Sequence, residues 1–463
     1  MHKLISASAV LAATALLAPG VAHADAASDI AALREEIAAI RAAYEARLQA
    51  LEQRLQTAES KAVTPAVAPT AATASSGRSS GRSSEPSAFN PAMSLILSGL
   101  YARTSRDPAG AAISGFRLPP TAEVGAGSRG LRLAESELGL TASIDPWWRG
   151  VANIALHGDD TVSVEEAYVQ TTALGSGLSL KAGRFFSGLG YLNAQHAHTW
   201  DFVDNPLAYQ AMLGTQYGDD GVQLNWIAPT SQFIELGMEI GRGRGFPGGD
   251  IGRNGAGAWV LTAHSGGDIG DSHTWRAGLS LLNAKADDQP LAALDAAGHS
   301  IHTLFAGNTR VWVADAVWKW APDGNATRVN FKLQGEYLRS TRNGSLVDSL
   351  LNDPGQGNSA ARYRSVQSGW YLQGIYQFMP RWRVGLRGES LSPGTADDGA
   401  NQGLYAANTW RPRKTSLMFD YSASEFSRVR LQLAQDRSRA GPADQQVFVQ
   451  YQMSLGAHGA HNY

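Results

Sequence analysis

The sequence predicts an all-β fold: a transmembrane antiparallel β-barrel of 16–18 strands, preceded by a short α-helical coiled coil. Two observations predict the barrel. From residue 89 onward, apolar and polar residues alternate in runs of about ten, and clusters of Gly, Asn, Asp and Pro separate these runs. A third observation predicts the helix, because the apolar positions within 30–58 are spaced by threes and fours.

Residues 1–24 have the pattern of a secretory signal peptide. Lys3 gives a positive start, an apolar run follows over 4–18, and Ala22-His23-Ala24 matches an A-x-A cleavage site. An N-terminal membrane anchor is the alternative, but the apolar run is too short to cross a bilayer. We therefore expect the mature chain to begin near Asp25.

Residues 25–60 are predicted to form a periplasmic coiled coil. Their apolar positions follow the spacing 3-4-3-4-4-3-4-3, and the extra four is a stutter that locally unwinds the supercoil. Because a single helix of this length is only marginally stable in water, we expect self-association to bury the seam; a lone helix is the alternative. The seam positions are Ile30, Leu33, Ile37, Ile40, Tyr44, Leu48, Leu51, Leu55 and Ala58.

Residues 61–88 are an Ala/Pro/Ser-rich linker without periodicity, and the barrel is assigned to residues 89–463. A soluble β-sandwich or propeller would also show alternation. Aromatic pairs at the ends of runs, such as Trp147-Trp148 and Trp370-Tyr371, and a charged polar face favour a membrane barrel instead.

The strand count should be even, because both termini are expected in the periplasm. Candidate strands include 209–217, and 362–378 as one strand or a pair. Long stretches at 105–130, 187–208, 241–256, 284–308, 340–361 and 391–413 are predicted to be extracellular loops. The 187–208 loop is expected to fold inward and set the constriction.

Composition excludes several classes of function. The chain has no cysteine, which removes disulfides, thiolate catalysis and an acylated lipoprotein cysteine. With 17% charged residues and a net charge of −2, it fits neither a disordered chain nor a nucleic-acid binder. Ser187, His196 and Asp201 share one loop but lack a nucleophile elbow, so we predict no enzyme activity and no cofactor.

The alternation places basic side chains on the inner face of the late strands. A basic lumen favours anions, although Glu336, Glu389 and Asp420 on the same polar faces leave a mixed, screened wall as the alternative. The predicted pore-lining residues are Arg328, Lys332, Arg381, Arg383, Arg387, Arg428 and Arg430. The predicted constriction residues are Arg184, Tyr191, Asp201 and Asp204.

Two histidine pairs form a candidate zinc site. His196 and His198 are two residues apart, and His458 and His461 are three apart. Imidazole and carboxylate are ligands of transition metals, and Asp201 and Asp204 lie close to the first pair in sequence. The alternative is that these are polar loop residues satisfied by water or backbone.

Three stretches carry a resemblance to a known group. They are KAGRFFSGLGY at 181–191 with QHAHTWDFVD at 195–204 and Pro206-Leu207, EEAYV at 165–169, and the closing GAHGAHNY. They resemble an uncharacterised group of proteobacterial outer-membrane β-barrel proteins, and the G-R-F strand before a long loop is similar to the phosphate-selective porin O and P family. The resemblance implies a porin-like channel in the Gram-negative outer membrane.

Relatives in that group are often labelled TonB-dependent receptors. Such transporters have a plug domain and a 22-stranded barrel, for which residues 25–88 and 89–463 are too short. We expect diffusion of small polar solutes with an anion preference, and keep a gated receptor, of TonB-dependent type or for metals such as zinc, as the alternative. The expected partners are outer-membrane lipid, small solutes or ions, and further copies of the chain in a trimer held by coiled coil and barrel, with no nucleic acid.

Overall fold

The computed structural model describes residues 91–249, 252, 254–296, 298–348, 360–406 and 409–456. The predicted signal peptide, coiled coil and linker lie outside these residues, and so do His458 and His461.

The described chain is built almost entirely from antiparallel strands. The strands are β1 (Ala92–Thr104), β2 (Gly130–Leu133), β3 (Ser136–Ser143), β4 (Trp148–Leu156), β5 (Val162–Thr171), β6 (Leu178–Phe186), β7 (Gly218–Ile227), β8 (Phe233–Gly241), β9 (Ala258–Ile269), β10 (His273–Leu294), β11 (Ser300–Trp320), β12 (Asn330–Asp348), β13 (Ala361–Met379), β14 (Trp382–Asp397), β15 (Arg413–Ser424), β16 (Ser427–Asp436) and β17 (Asp444–Gly456). Helix α1 is Leu207–Leu213, and 3₁₀ turns occur at Pro108–Gly110, Ala197–Thr199, Pro322–Gly324 and Gly399–Asn401.

The strands close into a barrel. Neighbours along the chain pair with one another, and β17 returns to pair with β1 from Ser94↔Gly456 to Thr104↔Gln446. Because β2 and β3 both pair with β1, they occupy one position in the wall, and the described strands form a closed 16-strand barrel. The predicted antiparallel barrel of 16–18 strands is confirmed.

The barrel is apolar outside and polar inside, the reverse of a soluble sandwich. On β16, Val429 and Leu431 are 43% and 38% exposed, whereas Arg430 and Gln432 are buried. Successive side chains along a strand point to opposite faces, so a sequence that alternates apolar and polar residues puts the apolar ones outside and the polar ones inside. The soluble alternatives are therefore excluded by the burial pattern.

The structure corrects one predicted strand and three predicted loops. The candidate strand 209–217 contains helix α1: Pro206 precedes good helix formers, and Gly214 ends the helix in the left-handed conformation (φ 63). The predicted loop 284–308 is largely strand, because β10 and β11 continue their ladder up to Leu294↔Ser300. The predicted loops 340–361 and 391–413 are shortened in the same way by β12 and β14, and 362–378 belongs to the single strand β13.

Candidate functional site: a loop held inside the barrel

The connection between β6 and β7, residues 187–217, folds into the barrel lumen, and we call it the inner loop. The backbone N–H of Val203 donates to Gln432 on β16 at 2.8 Å, and that of Leu207 donates to Glu389 on β14 at 2.6 Å. These acceptors lie on strands far around the barrel from β6 and β7. The inner loop therefore crosses the lumen and is fixed to the opposite side.

One side of the lumen carries six basic side chains, and we call it the basic wall. Its members lie on β12, β14, β15 and β16 and point inward. They are Lys332, Arg383, Arg387, Lys414, Arg428 and Arg430. Arg387 and Arg430 are each 1% exposed, so these cations are covered and depend on nearby acceptors for compensation.

Asp201 of the inner loop binds two cations of the basic wall. Its carboxylate lies 2.5 Å from Lys332 Nζ and 3.2 Å from Arg383, and Gln373 donates to it at 3.1 Å. Burial alone would raise the pKa of Asp201, but Lys332 and Arg383 hold that pKa well below its usual range. Asp201 is therefore a charged counter-ion inside the barrel.

Asp204, three residues later in the inner loop, also binds two cations of the basic wall. Its carboxylate lies 2.7 Å from Arg387 and 2.5 Å from Lys414 Nζ, and Gln432 donates to it at 2.9 Å. Burial would raise the pKa of Asp204, but Lys414 and Arg387 lower it well below the usual value. The two aspartates thus neutralise cations on three strands of the basic wall.

The other two arginines of the basic wall hold the backbone of the inner loop. Arg428 donates to the carbonyl oxygen of His198 at 2.9 Å, and Arg430 donates to that of Trp200 at 2.8 Å. Charge-assisted hydrogen bonds are stronger than neutral ones. Every cation of the basic wall therefore contacts the inner loop.

The opposite side of the lumen carries glutamates, and we call Glu137 of β3 with Glu165 and Glu166 of β5 the acidic wall. The register between β4 and β5 passes from Asn153↔Glu166 to Ile154↔Val164, which leaves Glu165 unpaired in a β-bulge. A bulge turns an extra side chain toward the same face. Consecutive residues 165 and 166 can therefore both reach the lumen.

His196 of the inner loop lies among these three glutamates. Its Nδ1 is 3.2 Å from Glu137 and 3.1 Å from Glu165, and its Nε2 is 2.9 Å from Glu166. His198 Nδ1 is 3.0 Å from the same Glu137 oxygen. Burial would lower the pKa of His196, but its hydrogen bonds to the glutamates raise it well above the usual value.

Apolar packing seats the rest of the inner loop. All seven residues of α1 are buried, and the helix contacts β12, β13 and β14. Tyr209 donates its hydroxyl to Glu336 at 2.7 Å, and Tyr371 of β13 donates to the same carboxylate at 2.6 Å. Phe116, from the loop between β1 and β2, belongs to the same apolar cluster. The inner loop and these side chains therefore fill the part of the lumen next to β12, β13 and β14.

Other predicted site residues lie elsewhere. Arg328 is exposed in the turn before β12, and Arg381 (φ 73) lies in the tight turn between β13 and β14, so neither is on the inner wall. Arg184 points outward and pairs with Asp220 at 2.7 Å, and is not part of the inner loop. Tyr191 is in the inner loop, where its ring lies 5.6 Å from the Arg276 guanidinium.

Sequence reasoning missed several residues of the site. Lys414 gives little signal because it lies at the very start of its strand, and the alternation identifies Glu336 and Glu389 only as a screen for the arginines. The pair Glu165-Glu166 carried a usable signal, since two adjacent carboxylates interrupt the strand alternation and indicate a bulge. Glu137 carried no local signal.

No helix among the described residues combines the length and hydropathy that a membrane-crossing helix needs.

Comparison with known proteins gives distant similarity. No family model matches the chain. A relative from Aquifex aeolicus, described as an uncharacterized protein, is 28% identical over 359 residues, covering 72% of this chain and 70% of that protein.

Three solved structures with a similar course of the chain share 11–12% sequence identity with it. DcaP, an outer membrane channel of Acinetobacter baumannii, is 12% identical with a TM-score of 0.45, covering 79% of this chain and 96% of that one. An anion-selective porin from Comamonas acidovorans is 12% identical with a TM-score of 0.43, covering 79% and 99%. A loop-deletion mutant of OmpT, an outer membrane protein of Vibrio cholerae, is 11% identical with a TM-score of 0.46, covering 79% and 99%. The function is therefore inferred from this chain's own geometry.

Proposed function

We propose that the protein is an outer-membrane channel of the porin type for the diffusion of small polar solutes, and that the inner loop forms its constriction. The observation that carries the proposal is the inner loop itself, which crosses a polar lumen and binds a basic wall through Asp201 and Asp204. A closed barrel with a charged interior offers polar groups that replace part of a solute's hydration during passage.

The outer surface supports a place in the membrane. On β13, Trp370 and Phe378 point outward and are 45% and 40% exposed, and Leu372 and Tyr376 lie between them on the same face. Eight residues span about 27 Å along a strand, or about 21 Å of height at a tilt of roughly 40°. Apolar bands of outer-membrane barrels are about 25 Å tall and flanked by aromatic residues.

The charges of the basic wall support a modest anion preference on that side of the lumen, opposite the acidic wall. The six cations of the basic wall face five carboxylates, which leaves one positive charge in excess. These carboxylates are Asp201, Asp204, Glu389, Asp420 and Asp436. Because most of the wall is neutralised, the preference should be weak while the inner loop is in place.

A TonB-dependent transporter is not favoured. Transporters of that type use barrels of 22 strands, and the closed ring of described strands has 16.

We also propose that the chain assembles as a trimer through its coiled coil and barrel. The seam over residues 30–58 supports this, since a narrow apolar stripe of that length needs a partner helix.

The test is reconstitution of the purified protein in a planar lipid bilayer. We expect stepwise conductance increases and a reversal potential, under a salt gradient, that indicates a small preference for anions. Heat-dependent migration on a gel checks that the barrel is folded. Folded protein that inserts and never conducts would remove the channel proposal.

A further inference from the structure

We propose that His196, His198, Glu137 and Glu165 form a binding site for a divalent transition-metal ion of the Zn²⁺ class. The site would join the inner loop to the acidic wall, with two ligands from each. The proposal is independent of the channel function, because it depends on how these four side chains converge and not on what passes the lumen.

The spacing of the donor atoms fits a tetrahedral ion. His196, Glu137 and Glu165 each offer one ligand atom, and these three atoms lie within 4.8 Å of one another. His196 Nδ1 is 3.2 Å from the Glu137 oxygen and 3.1 Å from the Glu165 oxygen. With bonds of about 2.0–2.1 Å, neighbouring ligand atoms around tetrahedral zinc are about 3.3–3.4 Å apart. An ion bound here would draw the two carboxylates together.

His198 supplies the fourth ligand. Its Nδ1 is 3.0 Å from the same Glu137 oxygen, and its ring stacks on that of His196 with centroids 5.8 Å apart. Two imidazoles with two carboxylates suit zinc and similar transition metals. Calcium and magnesium prefer oxygen ligands alone, so the histidines select against them.

Glu166 provides a second and separate indication. It lies 2.9 Å from His196 Nε2, the ring nitrogen opposite the one that faces Glu137 and Glu165. A proton on Nε2 donated to Glu166 leaves the lone pair of Nδ1 directed at the proposed ion. Metal-bound histidines are commonly oriented by a carboxylate on the other nitrogen in this way.

The local charge also fits a divalent cation. Glu137 and Glu166 are each only 7% exposed, and the bulge in β5 adds Glu165 to the same place. Three carboxylates held this close repel one another unless cations compensate them. A bound Zn²⁺ would add two positive charges beside the two imidazoles.

The experiment measures retained metal on the full-length protein folded in detergent. The protein is stripped with a chelator, equilibrated with ZnCl₂, passed through gel filtration and analysed by mass spectrometry for zinc. We expect one tightly held zinc per chain in the wild type, and its loss in Glu165→Gln and in His196→Ala. Glu166→Gln should weaken binding about 10- to 100-fold, since it alters only the orientation of His196.

Two controls isolate the site. His299→Ala removes a histidine that is 77% exposed in the hairpin between β10 and β11, and His458→Ala with His461→Ala removes the C-terminal pair; both should keep the zinc. Heat-dependent gel migration checks folding, and Glu165→Gln serves if His196→Ala does not fold. Wild-type protein without stoichiometric zinc, or site variants that retain as much zinc as the controls, would overturn the proposal whether or not the protein conducts.

Discussion

Replacing Asp201 and Asp204 together with asparagine should open the constriction and strengthen the anion preference. Each aspartate accepts from two cations of the basic wall, and asparagine keeps the shape while removing the charge. Three carboxylates then remain against six cations, so the excess rises from one positive charge to three. The inner loop would lose its strongest attachment to the basic wall.

The expected magnitudes follow from the burial of these pairs. Removing one partner of a buried ion pair costs about 3–5 kcal/mol of stability. Asparagine keeps some hydrogen bonds, so the cost at each site should be near the lower end of this range.

The change in selectivity follows from the charge removed. For an ion passing at roughly 8 Å, one charge contributes about 0.5 kcal/mol in water, reduced to about 0.2 kcal/mol by screening at 0.15 M salt. Removing two negative charges stabilises a passing anion and destabilises a passing cation by about 0.4 kcal/mol each. The anion-to-cation permeability ratio should therefore rise roughly fourfold.

The assay is the single-channel conductance and the reversal potential under a salt gradient, with wild type and variant compared in the same bilayer. Asp271→Asn with Asp323→Asn is the matched control. These two aspartates are exposed in the turns between β9 and β10 and between β11 and β12. The control changes the charge by the same amount at the end of the barrel and leaves the inner loop attached.

A folded Asp201/Asp204 double variant with the conductance and reversal potential of the wild type would refute this reasoning. So would a control variant that shows the same shift, because the effect would then come from net charge and not from the basic wall.

Three further predictions concern the inner loop and the coiled coil. Asp201 and Asp204 have folded-state pKa values well below the unfolded value of about 3.9, so their stabilising contribution is complete above about pH 4 and is lost as the pH falls through the folded-state values. Conductance should therefore stay level between about pH 4 and 7, rise only at pH values well below this range, and lose this response in the double variant. Leu213→Ala in α1 should lower the free energy of unfolding in guanidinium by about 2–5 kcal/mol, and the outward Leu431→Ala by clearly less; equal losses would contradict the buried role of α1. Deleting residues 25–60 should lower the temperature at which the oligomer dissociates on a gel without unfolding the barrel, and an unchanged oligomer would argue against a clamp.

The barrel could be predicted from the sequence because its signal is local. Alternation such as that around Arg430 can be recognised in a window of about ten residues. Because lipid lies outside the barrel and water inside it, the apolar residues must face outward and the polar residues inward. The edges of strands carry weaker signals, so the alternation places Arg328 and Arg381 on the inner wall although they lie in turns. The segment Pro206 to Gly214 contains both a helix start and a helix stop, but its apolar residues also fit a strand.

The contacts of the inner loop could not be predicted, because they join distant parts of the chain. The loop was expected to fold inward, and Asp201 and Asp204 were expected to lie at the constriction. That Asp204 would meet Lys414, a residue 210 positions later, depends on the register of every strand in between. The convergence of Glu137 and Glu165 on His196 has the same origin, since three separate segments supply the side chains.

The attachment of the inner loop to late strands has a consequence for assembly of the protein. The hydrogen bonds from Tyr209 to Glu336 and from Gln452 to His198 join residues 127 and 254 positions apart. When β6 and β7 first pair, the strands that will receive the loop have no place in the sheet. Contacts between residues so far apart in sequence form late and slowly. The inner loop therefore cannot reach its final contacts until β12 to β17 have paired, so its insertion is expected late in folding.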